Sequence, residues 1–120
     1  METKELHREE TEKKAEALLR RLGLTGRYFG LPLLVAAIAL VAEDPLLTSY
    51  QVTKALYPAI ARRFQITSAA VERNIRTVVV ILWERCDRDE LRRLTGTPLP
   101  KRPTNSELID ILAHHIRAER

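Results

Sequence analysis

Apolar residues recur every three or four positions along most of the chain, and the runs they form end in helix punctuation, which predicts an all-α protein. Residues 3–22 carry Leu6, Ala15, Leu18, Leu19 and Leu22 among many charges. The apolar stripe is dense only at its end, where Gly23 is the natural stop, so residues 1–17 are expected to form a charged helix or tail ahead of a folded unit at 18–120. A second helix is expected to begin near Leu31, with Pro32 in its first turn, and to stop before Asp44-Pro45. A third, capped by Thr48 or Ser49, runs from Tyr50 to about Phe64. Pro58 must kink that helix or divide it in two.

Thr67 and Ser68 are good caps for a fourth helix, from Ala69 to about Cys86. Here Thr77-Val78-Val79-Val80-Ile81-Leu82-Trp83 is a β-branched run that would pass for a buried strand. Helix is preferred, because Val71, Ile75, Val78, Val79 and Leu82 keep helical spacing from the cap onward and no second strand candidate exists. Trp83, on the apolar run, is expected in the core. Asp87, Asp89 and Glu90 put acid at the start of a short fifth helix that ends at Gly96. Residues 97–103 hold Pro98, Pro100 and Pro103 and read as an extended connector. Thr104-Asn105-Ser106-Glu107 then matches the capping box of a last helix. The expected architecture is a compact bundle of about six helices.

Composition narrows the function more than the fold. The chain has 120 residues, 45% hydrophobic and 30% charged, which suits one soluble globular domain. A single cysteine, Cys86, excludes a disulfide framework, and four glycines with 5% aromatics argue against a glycine-cradled nucleotide site or a β-barrel. His114-His115 are adjacent on a helix and point about 100° apart, so they do not converge on one metal. No nucleophile, base and orienting group can be assembled, and neither catalysis, a cofactor nor a metal is expected. The uncharged stretch at 28–42 is short of the roughly 20 apolar residues that span a bilayer. The polar start after Met1 does not suit a secretory signal, so a cytoplasmic protein is expected, with no membrane partner.

The charge is uneven. Residues 1–50 hold seven basic and eight acidic side chains, whereas 51–120 hold thirteen and eight. A basic excess on one part of a small domain suits a polyanion. From Tyr57 the spacing fits a helix-turn-helix: Ile60 and Ala61 at the helix contact, Phe64 and Ile66 flanking the turn, Val71 and Ile75 anchoring the second helix. Gln65 stands where glycine is usual. At about 100° per residue, Arg73, Arg76, Ala69 and Thr77 fall opposite the Val71 stripe. Arginine bonds bidentately to guanine, Glu72 on the flank can accept from cytosine N4, and Ser68 with the free amides of the helix start suits a phosphate. The alternative is a solvated face on which Glu72 and Arg76 pair at i, i+4. Lys101 and Arg102 either touch phosphates or solvate their loop.

Four stretches carry a resemblance. Thr53-Lys54-Ala55-Leu56-Tyr57-Pro58-Ala59-Ile60-Ala61, Val71-Glu72-Arg73-Asn74-Ile75-Arg76, Trp83-Glu84-Arg85 and Pro103-Thr104-Asn105-Ser106-Glu107 closely resemble the C-terminal effector domain of the stage-zero sporulation response regulator family. The similarity runs from about Leu18 to Arg117. It implies a six-helix bundle containing a helix-turn-helix, helix at residues 77–83, and transcription control through double-stranded DNA. By the resemblance, the recognition helix begins at Ser68, Glu72 and Arg73 approach bases of a GTCGAA-like box, and Arg76 lies at the backbone or groove edge. Two positions depart: Ala70 where the family commonly has a basic residue, and Thr77 where it has histidine. The resemblance also implies pairing of two copies on tandem boxes, and contact between residues 90–96 and the RNA polymerase sigma factor. There Arg92-Arg93-Leu94-Thr95 departs from the family's more neutral sequence. A highly charged stretch of about 20 residues stands where the family's phosphoacceptor receiver domain would be, and Met1 favours a free-standing effector domain. The competing expectation is a non-DNA interaction module, a decoy that binds a full-length regulator.

Overall fold

The computed structural model describes residues 2–44 and 52–119, which form six α-helices and, among the described residues, no strand. They are α1 (Glu2–Arg21), α2 (Gly30–Glu43), α3 (Tyr57–Phe64), α4 (Ser68–Arg85), α5 (Arg88–Thr95) and α6 (Asn105–Ala118). A π-helical turn, Val52–Leu56, leads directly into α3, whose first turn holds Pro58. Pro58 thus lies where the helical hydrogen-bond pattern changes, which accommodates its missing N–H and its ring. The caps expected at Thr48 and Ser49 lie outside the described residues.

α2 is the pillar of the bundle. It is apolar on every side, and α1, α4 and α6 pack around it. Only Pro32 is exposed along its length. Its amino end lies so close to α4 that a Cβ on Gly30 would fall 2.1 Å from the Asn74 carbonyl oxygen. That distance is far inside van der Waals contact, so glycine is required for the crossing.

α1 is helical from Glu2 and is not a loose tail. Ala15, Leu18, Leu19 and Leu22 are buried as the stripe predicts, while Leu6 is exposed. The expected boundary between residues 17 and 18 falls inside this continuous helix. Gly23, at φ +114°, turns the chain out of it in a region that side chains rarely tolerate.

The short-range signals are realised as hydrogen bonds. Thr67 caps α4 by accepting from the Ala70 amide, and Asp87 caps α5 by accepting from Asp89 and Glu90. Thr104 and Glu107 form the reciprocal capping box of α6, at 3.2 and 2.9 Å. Those bonds hold the Glu107 carboxyl below the usual glutamate range. The β-branched run lies within α4, with Val78, Val79 and Leu82 buried. Trp83 differs from expectation: it is half-buried at the core's edge, with the Arg88 guanidinium 4.3 Å above its ring. It lies about 120° round the helix from Val71, on the flank of the buried stripe. Cys86 is also half-buried, and burial pushes its thiol pKa up.

Several arginines close the fold rather than project from it. Arg20 donates to the Leu24 and Gly26 carbonyls, Arg92 to those of Pro98 and Leu99, and Arg117 to that of Val41. Leu99 is held at φ +41°, where a leucine is strained, and the Arg92 fork grips its carbonyl. The basic excess at 51–120 is thus partly spent inside the protein.

Candidate nucleic-acid interface

α3 and α4 form the helix-turn-helix. Tyr57, Ile60 and Ala61 of α3 are buried, and Val71, Ile75, Val78, Val79 and Leu82 bury the opposing stripe of α4. Between them Gln65 adopts φ +57°, the left-handed turn that glycine usually supplies. A non-glycine residue there costs roughly 1 kcal/mol. The Gln65 amide bonds the Ala61 carbonyl, as does that of Ile66 at 3.0 Å.

The other face of α4 is open. Arg73, Arg76, Thr77 and Ala69 are exposed, and Ser68, Ala70 and Glu72 are half-buried. Arg73 makes no hydrogen bond or ion pair among the described residues. Thr77 donates its hydroxyl to the Arg73 carbonyl at 3.1 Å, and Asn74 bonds the Ala70 carbonyl at 2.7 Å. Arg76 pairs with Glu72 at 2.7 Å, the i, i+4 contact that was the alternative for this face. Both partners are solvated, so the pair contributes only a few tenths of a kcal/mol and can be exchanged for another anion. At the helix start the Thr67 hydroxyl and carbonyl take the Ala70 and Val71 amides. The Ser68 and Ala69 amides precede any carbonyl they could reach within the helix.

The two connector cations separate. Arg102 lines the same groove as Arg76, an open cleft of about 330 Å³ that also borders Tyr57, Glu72 and Asn105. Lys101 is exposed but is not part of that lining. The groove's floor holds a contact that pattern alone did not reveal. Asn105, only 9% exposed, donates its side-chain amide to Tyr57 Oη at 3.2 Å and to the Glu72 carbonyl at 3.1 Å. Burial raises the Tyr57 phenol above its ordinary pKa, and the Asn105 bond partly offsets this. The sequence signal was present but mute: an asparagine next to a cap reads as helix punctuation, and its partners lie 48 and 33 residues away.

No group of three His, Cys, Asp or Glu side chains converges as a metal site among the described residues, and no described helix is long and apolar enough to cross a membrane.

A bundle with a buried α3–α4 contact and an open, arginine-bearing α4 face defines a helix-turn-helix protein. Residues 15–116 match the family described as sporulation initiation factor Spo0A C terminal. The chain belongs to that family, whose members are DNA-binding domains of sporulation transcription regulators and not enzymes.

Proposed function

We propose that the chain is a sequence-specific double-stranded DNA-binding regulator in which α4 enters the major groove from Ser68. Glu72 and Arg73 address base edges and Arg76 the backbone or groove edge, while the Ser68 amide region, Arg102 and Lys101 hold phosphates. Ala70 and Thr77 lie on the same approach as small, neutral residues, so the preferred box differs from one read by a basic residue and a histidine there. The observation that carries this reading is Arg73: an exposed guanidinium, unpaired among the described residues, on a helix whose opposite face is seated by five buried aliphatic side chains. When DNA binds, Arg76 exchanges Glu72 for the groove edge at little cost.

Selection of bound sequences from a random duplex pool tests binding and specificity together. Log affinity should fall with log salt by about 0.9 per phosphate contact. Arg73→Ala should erase about 1–3 kcal/mol of discrimination at its base pair. Lys101→Ala should weaken all sequences alike. A site preference untouched by Arg73→Ala shows that α4 is not the reading helix. Negligible DNA affinity, together with a stable complex with a full-length regulator in a sizing experiment, favours the decoy.

Pairing on tandem boxes is read from stoichiometry on a two-site duplex. Toward a polymerase sigma factor, α5 offers an arginine-rich surface in which Arg92 is turned onto carbonyls and Arg93 pairs with Glu90. This differs from a neutral surface, and the cytoplasm is where both partners would be met.

A further inference from the structure

Asn105 is one of only two buried polar or charged residues described, the other being Thr11. A buried amide is costly unless it is hydrogen-bonded, and this one is bonded twice. A leucine fills similar space. What leucine cannot supply is direction. The side-chain amide has two donors, and the two acceptors it meets lie on different helices: Tyr57 Oη at the start of α3 and the Glu72 carbonyl inside α4.

The Glu72 carbonyl is half of the peptide that joins Glu72 to Arg73. Asn105 therefore grips the backbone between two side chains assigned to base edges. A carbonyl has two lone pairs, so this one accepts from Asn105 while keeping its helical bond. The aliphatic stripe of α4 seats the helix on the core, and a directional hydrogen bond to its backbone adds what non-directional apolar contact lacks, a sharp preference for one roll about the helix axis. At roughly 6 Å from the axis, where side chains end, a roll of about 10° moves a tip by about 1 Å. That is enough to carry a guanidinium out of bidentate hydrogen-bond range.

We infer that Asn105, through its paired bonds to Tyr57 Oη and the Glu72 carbonyl, is a positioning residue that sets the roll of α4 and thereby the sequence discrimination of the protein. It touches no DNA itself. The inference rests on α4 being the reading helix, and its test separates the two.

Affinity is measured for the selected duplex and for a scrambled duplex, in wild type, Asn105→Leu and Tyr57→Phe, with helicity and a single thermal transition checked for each. The ratio of the two affinities should fall about tenfold in Asn105→Leu and about threefold in Tyr57→Phe. Affinity for the scrambled duplex and its salt slope should stay at wild-type values, because no phosphate contact is lost. A merely structural tie would lower the melting temperature and leave the ratio alone. Tyr57→Phe removes one hydroxyl and keeps the comparison decisive if Asn105→Leu does not fold. A wild-type ratio retained in a folded variant, or equal loss on both duplexes, overturns the role of Asn105 alone. A wild-type protein with no site preference overturns the reading of α4 and the role of Asn105 with it, and is visible before any variant is made.

Discussion

α2 and α4 touch at Gly30 and Asn74, yet they are held in opposite ways. α2 is buried all round, carries no side-chain cap, and shows only Pro32 fully to solvent. α4 is capped by Thr67, buries one stripe, and leaves Arg73, Arg76 and Thr77 in water. A helix pressed from every side needs no help from its ends and has nothing left to offer a partner. A helix with one buried face needs its cap and a directional tie, and its free face is where function can reside. In this bundle the first kind supports the second.

That contrast can be broken at its centre. Ile38→Ala in α2 removes a fully buried side chain and should destabilise the protein by about 3–4 kcal/mol in a denaturant melt. DNA affinity of the fraction still folded should be unchanged. Gly30→Ala should cost about 2 kcal/mol, since the new methyl meets the Asn74 carbonyl and Val78 and must push the two helices apart. Unlike Ile38→Ala, it should also reduce site preference, because α4 is displaced. Thr67→Ala removes the cap from α4 alone and should cost about 1 kcal/mol, seen as earlier amide exchange in the first turn of that helix.

The smallest effect is electrostatic and lies in α6. Glu107 has a lowered pKa in the folded protein because its carboxylate accepts from Thr104. Its contribution is therefore full at neutral pH and disappears as pH falls through and below the ordinary glutamate range near 4.3. Glu107→Gln should flatten that part of the stability curve between pH 5 and pH 3 while leaving neutral stability nearly unchanged, as glutamine also serves a capping box.

The ends of α4, α5 and α6 were legible because caps are local: Thr67, Asp87 and Thr104 each reach amides within three residues. Gly23 and Gly96 were legible as stops for the same reason, and both have positive φ. The β-branched run in α4 pulled the other way, since its local propensity is for strand. Spacing of the buried positions, not propensity, predicted helix there. Trp83 was misjudged because a continuous apolar run hides which of its members sit on the flank. Arg73 and Arg76 were legible as candidates by helical phase, although phase cannot say that one is free and the other paired. The charge count at 51–120 overstated the cations on offer, as Arg92 and Arg117 are bonded to backbone carbonyls of Pro98 and Val41.

From the order of residues alone came the helices, the caps of α4, α5 and α6, the helix-turn-helix and the face of α4 that could meet a nucleobase. All of these depend on contacts within about one turn of helix or on a simple period. Tertiary structure alone decided that Gly30 must lack a side chain, that Arg102 shares a groove with Arg76, and that Asn105 holds the peptide between Glu72 and Arg73. Those relations join residues that are 26 to 44 positions apart, and only closing the chain around α2 brings them within reach.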